Sequence, residues 1–143
     1  MKQTLQLIID DDLDFDKNYK KIYIHRFFKK IDLSDKDNVV DYHWNNYEKL
    51  KKDYEYLDNF GKRLLSDLAV FLNKLHKVNH SSIFWEILLG EWLHSFCFQI
   101  FDRYEMLNNL DYKNFNYLLK IKKFSDKDMI FQTIDEHNNI FFI

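Results

Sequence analysis

The stretch NHSSIFWEILLGEWLHSFCFQIFDRY, residues 79–104, decides how this chain folds. Apolar residues cover more of its helical circumference than the single stripe of a surface helix would, although Glu86, Glu91 and an Asp-Arg pair interrupt them. Such a helix is expected to be buried over most of its surface. Since Ser81 or Ser82 can accept a backbone N–H and cap its first turn, we predict a helix over residues 82–107.

A second long helix precedes this stretch. From about Asn46 to Leu75, apolar residues recur at intervals of three and four, and most charged residues, including Lys49 and Asp53, fall on the outer side. Residues 77–80 break the pattern. Because so short a connection joins the helices, we predict an antiparallel hairpin. The residues predicted to be largely buried in it are Trp85, Leu88, Trp92 and Phe96.

Shorter β-prone runs lie outside the hairpin. Residues 4–9 and 19–24 are separated by an acidic turn, and residues 39–42 are a third candidate strand. Residues 115–121 are predicted as a helix and residues 129–134 as either a strand or a helix. The predicted fold is α/β and helix-dominated, with a few short N-terminal strands plus a long antiparallel helical hairpin, in one domain over residues 1–143.

Composition excludes several classes of function. The formal net charge of −2 gives no general attraction to nucleic acid. The two glycines, Gly61 and Gly90, are isolated within helical patterns, so no dinucleotide fingerprint or P-loop exists and no cofactor is predicted. No signal peptide and no transmembrane segment are recognisable, and a cytoplasmic protein is therefore expected.

Two short patterns suggest metal-dependent chemistry. An apolar run leads into Asp10 and Asp12, as in haloacid-dehalogenase-like phosphatases, where one Asp is the nucleophile and Mg²⁺ lies between carboxylates. An acidic solvated turn is the commoner outcome of such a run. His76 and His80 have the spacing of a zinc-binding helical pair, but the predicted helix ends between them and no Cys is near. We therefore predict no metal site.

Polar residues form an approximate stripe on the second helix, namely Glu91, His94, Ser95 and Asp102. Buried carboxylates and imidazoles need partners, so these residues either satisfy one another and the first helix or line a cleft. Arg103 is either half of a packing ion pair or the rim of an anion pocket. Trp44 could stack on a sugar ring, although Trp is more often a core residue.

Four elements follow one another in a recognisable order. They are Tyr42-His43-Trp44, Leu72-Asn73-Lys74-Leu75-His76, the helix Phe84-Trp85-Glu86-Ile87-Leu88-Leu89-Gly90-Glu91-Trp92-Leu93, and Asp102-Arg103-Tyr104. Over roughly residues 19–108, this pattern resembles the amino-terminal region of a family of glycosyltransferase-like transferases from bacterial surface-carbohydrate biosynthesis clusters. Glu86 and Glu91 stand where that family has Arg and Pro.

The resemblance implies the acceptor-side domain of a longer, two-domain, sugar-nucleotide-dependent transferase of surface-polysaccharide biosynthesis, inactive alone. A sugar nucleotide or glycan acceptor would be its ligand, and a partner protein would supply the missing domain. The alternatives are a non-catalytic helical protein-interaction module and a phosphatase using the Asp10/Asp12 pair. No catalytic residue is assigned. The substrate-binding candidates are His43, Trp44, His80, Glu91, His94, Asp102 and Arg103.

Overall fold

The computed structural model describes residues 2–8, 16–24 and 39–120. The Asp10/Asp12 pair and the segment predicted over residues 129–134 lie outside these ranges. Two long helices dominate the described residues, together with three short strands, and the predicted helix-dominated α/β fold is confirmed. No helix among them has the length and apolarity needed to cross a membrane.

The two helices begin and end close to the predicted positions. Helix α1 covers Tyr47–His76, and helix α2 covers Ser82–Asn108. The Asn46 side chain accepts a hydrogen bond from the Lys49 backbone N–H and caps α1, while Ser81 Oγ accepts one from the N–H of Phe84 and caps α2. Lys77 ends α1 in the left-handed conformation, with φ 56° and ψ 40°.

Side-chain contacts confirm that α1 and α2 run antiparallel. Lys49 near the start of α1 pairs with Glu105 near the end of α2, and His76 at the end of α1 stacks on Trp85 at the start of α2. Between these extremes, Tyr54 contacts Phe98. Side-chain contacts therefore join the helices at both ends of the pair.

Helix α2 has two ridges of mostly apolar side chains with four-residue spacing. The inner ridge contacts α1 through its first member and its last two, and between them it is buried at Leu93 and Cys97. The outer ridge starts one residue earlier and is mostly exposed. The inner ridge consists of Trp85, Leu89, Leu93, Cys97, Phe101 and Glu105, and the outer ridge of Phe84, Leu88, Trp92, Phe96, Ile100 and Tyr104.

The predicted burial of α2 is correct for Trp85 and wrong for two other residues. Leu88 is 57% exposed and Trp92 is 43% exposed, because both lie on the outer ridge. Phe96 is only partly buried. A helical wheel groups these residues with Trp85, but a neighbouring helix that crosses at an angle follows a four-residue ridge rather than a fixed face of the wheel.

The chain forms two compact units. One contains Met1–Tyr42 and Met106–Ile143, and the other contains His43–Glu105. The second unit holds α1, most of α2 and a short 3-10 turn at His43–Asn45, just before α1. The single domain predicted over residues 1–143 stays a prediction.

The first unit contains a parallel three-stranded sheet in the order β2-β1-β3. Strand β1 covers Gln3–Ile8, β2 covers Lys20–Tyr23 and β3 covers Phe115–Leu119. The helix predicted over residues 115–121 was wrong, because residues 115–119 satisfy their backbone by pairing with β1. The third candidate strand is reduced to a single bridge between Tyr23 and Val39.

The core of the first unit lies against the sheet. Met106, in the last turn of α2, is completely buried in it. The apolar cluster comprises Leu7, Ile8, Tyr23, Ile24, Val40, Met106 and Leu110.

Candidate functional site

Polar side chains in the second unit cluster where the first turns of α1 approach the last turns of α2. The 3-10 turn supplies His43 and Trp44. Lys49 and Asp53 are four residues apart on α1 and therefore share one side of that helix. Asp102, Arg103 and Glu105 come from α2. We call these seven residues the polar cluster.

Asp102 joins a histidine and an arginine. Its Oδ1 lies 3.0 Å from His43 Nε2, and its Oδ2 accepts a hydrogen bond from Arg103 Nη1 at 3.1 Å. An ionised carboxylate can only accept, so Nε2 of the imidazole carries a proton in this pair. The Asp102 side chain is 11% exposed, and these two bonds help to compensate for burying its charge.

The imidazole of His43 is shielded from solvent. Its side chain is completely buried, and its ring packs on Trp44 with centroids 4.5 Å apart and, edge-on, on Phe101. A carboxylate bonded to an imidazole is the arrangement that orients a general base, but such a base must reach its substrate. In this arrangement His43 positions Asp102 and Trp44.

Asp53 is the second junction of the polar cluster. Its Oδ2 accepts hydrogen bonds from Trp44 Nε1 at 3.0 Å and from Lys49 Nζ, and it lies 3.9 Å from His43 Nδ1. Lys49 also pairs with Glu105 at 2.8 Å and lies 5.6 Å from the centroid of Phe101. Burial alone would lower the pKa of Lys49, but its bonds with Asp53 and Glu105 outweigh burial and raise that pKa.

Three members of the polar cluster have the donor types of a metal site. One ligand atom from each of His43, Asp53 and Glu105 lies within 4.8 Å of the other two. The Lys49 ammonium, however, donates to both carboxylates and supplies the positive charge that a metal ion would bring. A cation could bind there only after displacing Lys49.

Arg103 is the charged member of the cluster that solvent reaches most. Its side chain is 38% exposed, compared with 33% for Lys49 and 21% for Glu105. A guanidinium held by a carboxylate is well placed to contact an anionic ligand, because its planar fork matches carboxylate and phosphate oxygens.

Four of the seven predicted binding residues meet in the polar cluster, namely His43, Trp44, Asp102 and Arg103. His94 lies outside it, with its ring 4.5 Å from that of Phe98. Glu91 is exposed and lies roughly 16 Å from Asp102 along the axis of α2. His80 belongs to the hairpin turn, at the opposite end of α1 from His43. A ligand at the cluster cannot contact all seven.

Sequence reasoning missed Lys49, Asp53 and Glu105. The apolar pattern of α1 predicts that the first two lie on its solvated side, yet the Asp53 side chain is only 16% exposed. Their four-residue spacing, directly after His43 and Trp44, is the signal that could have identified them. Glu105 had no comparable signal, since its contact with Lys49 depends on how the two helices cross.

The side chain of Asn73 gives the Leu72–His76 motif a structural role. Its side chain accepts hydrogen bonds from the His80 backbone N–H and from Trp85 Nε1, both at 3.0 Å, and donates to the His80 carbonyl at 2.8 Å. These three bonds tie the end of α1 to the turn and to the first turn of α2. The Leu72–His76 motif therefore stabilises the hairpin.

A separate cavity of about 580 Å³ lies against the sheet of the first unit. Leu5, Ile22 and Tyr117 supply part of its apolar lining, and Lys20 and Asp111 are among its charged residues. Asp111 is exposed, and hydrogen bonds from Asn114 and Lys113 lower its pKa. The Asp111 carboxylate therefore already accepts hydrogen bonds within its own turn.

The polar cluster lies in the span that a known family shares with this chain. The sequence profile of the LIC12162 family of transferases matches residues 11–141. Comparisons with curated proteins and with solved structures gave no match. The profile covers most of the chain, including both helices, the 3-10 turn and every member of the polar cluster. This chain therefore belongs to the LIC12162 family of transferases.

Proposed function

We propose that this chain is the acceptor-side domain of a sugar-nucleotide-dependent transferase of surface-polysaccharide biosynthesis, and that it does not transfer sugar alone. Membership of a transferase family is the observation that carries the proposal. The carbohydrate part rests on the resemblance in the motifs and on the residues of the polar cluster.

The acceptor would bind through Arg103 and Trp44. Asp102 holds the Arg103 guanidinium, and the buried His43 holds Asp102 in turn. Trp44 is partly exposed and is fixed by its bond to Asp53 and by stacking on Phe101. An acceptor with a carboxylate or phosphate would place this anion on the guanidinium and an apolar sugar face against the indole.

The donor would bind elsewhere. Binding a diphosphate through backbone N–H groups usually requires a glycine-rich turn before a helix. Both glycines of this chain lie inside helices, Gly61 in α1 and Gly90 in α2. A partner protein that carries the nucleotide site would complete the enzyme.

Nuclear magnetic resonance can test acceptor binding at this position. The three Trp indole N–H groups give separate reporters, and only Trp44 lies in the polar cluster. On addition of glucuronic acid, we expect the Trp44 indole signal to shift, with Trp85 and Trp92 as internal references. Arg103→Ala should remove the shift, and Arg63→Ala, which changes an exposed arginine of α1, should preserve it. Equal shifts in both variants would refute the assigned site.

The second part of the proposal concerns turnover. The purified chain, mixed with UDP-, GDP- and CMP-linked sugars and simple acceptor sugars, should release no nucleotide above the rate without protein. Sustained transfer by the pure chain would contradict the proposed need for a partner domain.

The outer ridge favours a second candidate function, a non-catalytic helical protein-interaction module. Leu88, Trp92 and Ile100 expose a row of apolar surface that a binding module would use. This function predicts that Trp44 responds to no sugar acid, so the same titration separates the two candidates.

A further inference from the structure

The cavity against the sheet of the first unit has an apolar floor. The Cα atom of Leu5 on β1 pairs with those of Lys20 on β2 and Tyr117 on β3. Because paired residues of neighbouring strands project from the same face of a sheet, these three side chains form a row across it. Leu5 is 6% exposed and occupies the middle of this row. The other buried residues of the lining are Val40 and Leu110.

The rim of this cavity is polar, and its charges balance. Most of the rim residues are exposed, and they are Gln3, Lys20, Lys21, Asp41, Asn109 and Asp111. An ammonium group only donates hydrogen bonds, an ionised carboxylate only accepts them, and an amide side chain does both. The rim therefore offers donors and acceptors together, without a net charge.

We propose that this cavity binds a neutral monosaccharide in its pyranose form. A pyranose ring has an apolar face of C–H groups and an edge of hydroxyl groups, each of which donates and accepts. The apolar face would lie on Leu5 and against the aromatic rings of Phe115 and Tyr117, while the hydroxyl groups would meet the rim. The cavity volume of about 580 Å³ falls within the range of roughly 300 to 1,000 Å³ that small-molecule sites occupy.

The lining disfavours two other classes of small molecule. An anion would be attracted by Lys20 and Lys21, but the Asp41 carboxylate on the same rim would repel it. A wholly apolar molecule would displace water from the rim groups without replacing the lost hydrogen bonds. A hydroxyl group suits Tyr117 as well, because partial burial raises the pKa of its phenol and the O–H remains a donor at neutral pH.

The proposed sugar site is independent of the proposed acceptor site. Every residue that lines the cavity belongs to the first unit, and every member of the polar cluster belongs to the second. The two sites are therefore tested with different signals. The response of the Trp44 indole to glucuronic acid reports on the acceptor site alone, and its absence would leave the sugar site unaffected.

Methyl signals in nuclear magnetic resonance spectra can locate a bound sugar. On addition of D-glucose to the 143-residue chain, the Leu5 and Val40 methyl signals should shift, because both side chains line the cavity. At about 0.3 kcal/mol for each non-hydrogen atom of a ligand, the dissociation constant should be on the order of millimolar. The methyl groups of Ile87 and Leu88, exposed on α2, are internal references that should not shift.

The substitution Asp41→Ala tests the rim. Its side chain is exposed, and the Asn109 amide donates to the Asp41 backbone carbonyl, so this contact survives the change. The dissociation constant for D-glucose should rise by at least roughly tenfold, because a hydrogen bond to a charged group is lost. Asp67→Ala, at an exposed position in α1, is the matched control and should bind D-glucose like the wild type. Equal circular dichroism spectra of both variants would show that the fold is retained.

Two comparison compounds separate the proposed ligand from other chemistries. Glycerol has hydroxyl groups but no ring face, and free phenylalanine has an apolar ring and two opposite charges but no hydroxyl edge. At the concentration at which D-glucose shifts the Leu5 and Val40 methyl signals, neither compound should shift them. The proposal is overturned if D-glucose leaves these signals in place, or if either compound shifts them as strongly. Equal affinity of Asp41→Ala and Asp67→Ala for D-glucose would overturn it as well.

Discussion

Asp102 is a buried carboxylate whose partners include a completely buried imidazole and a partly exposed guanidinium. His43→Ala removes one of these partners and leaves an empty space beneath Trp44. The loss of a partner from a buried charged group costs on the order of 2 to 3 kcal/mol. We expect the free energy of unfolding, measured in urea, to fall by about that amount.

The matched control for this variant is Asn45→Ala. Asn45 is an exposed residue of the same 3-10 turn. Its replacement should change the free energy of unfolding by no more than about 0.5 kcal/mol. Equal losses in the two variants would mean that the His43–Asp102 bond contributes nothing specific to stability.

Lys49 should make the free energy of unfolding depend on pH. Its pKa in the folded chain is raised above 10.5, so its protonated form stabilises the fold fully below pH 10.5. That contribution is lost as the pH rises through the folded pKa. The difference in unfolding free energy between wild type and Lys49→Met should therefore be constant from about pH 8 to about pH 10 and should shrink above it.

Lys52→Met is the control for this pH dependence. Lys52 is exposed on the same helix, one turn beyond Lys49. Its substitution should alter stability little at any of these pH values. A difference that grows with pH for Lys49→Met would mean that the ammonium is not the charge that holds Asp53 and Glu105 together.

At the scale of the helix, the two ridges of α2 should differ strongly in their contribution to stability. Leu93 lies on the inner ridge and is 4% exposed, whereas Leu88 lies on the outer ridge. Leu93→Ala should cost about 2 to 5 kcal/mol, because it opens a cavity at a buried position. Leu88→Ala should cost less than about 1 kcal/mol, because the Leu88 side chain is 57% exposed. Similar costs for the two would remove the distinction between the ridges.

The hairpin turn should depend on Asn73. Asn73→Ala removes three hydrogen bonds at once, and at about 1 kcal/mol for each bond the expected loss is about 3 kcal/mol. Trp85 also loses the acceptor of its indole N–H, so its fluorescence should change together with stability. Asn59→Ala, at an exposed position within α1, should change neither quantity appreciably. If Asn59→Ala is equally destabilising, the three hydrogen bonds of Asn73 contribute nothing specific to stability.

Local signals account for what the sequence predicted well. Asn46 and Ser81 are capping residues, and each helix begins directly after its cap, as capping chemistry requires. Strand β3 could not be recognised in this way. Its five residues are too few to show a clear period, and only pairing with β1, more than a hundred residues away in the chain, makes them a strand.

Local sequence signals likewise predict only part of the polar cluster. The polar stripe on α2 is predicted to need buried partners, and the structure shows that His43 is one partner of Asp102. Glu91 and His94 belong to the same stripe by periodicity but not by contact, since the angle at which α1 crosses α2 carries only the last turns of α2 to His43. Periodicity gives the faces of a helix, and the crossing angle decides which part of a face meets its neighbour.

At the scale of the whole chain, one continuous helix joins the two compact units. Helix α2 continues through the boundary between them and places Met106, with no exposed surface, in the core of the first unit. All three Trp residues lie in the second unit, so Trp fluorescence in urea follows that unit alone. The amide signals of Leu5 and Leu7 follow the sheet of the first unit.

The predicted single domain requires these two probes to report one transition. Met106→Ala should lower the stability of the first unit by about 2 to 5 kcal/mol, because its side chain fills a core position completely. In a single cooperative domain, the same variant must shift the Trp fluorescence midpoint by an equal free energy, although no Trp lies in the unit that was changed. Leu119→Ala, at an exposed position in β3, should shift neither midpoint appreciably. If Met106→Ala moves the amide transition and leaves the Trp transition in place, the units are separate domains joined by a continuous helix.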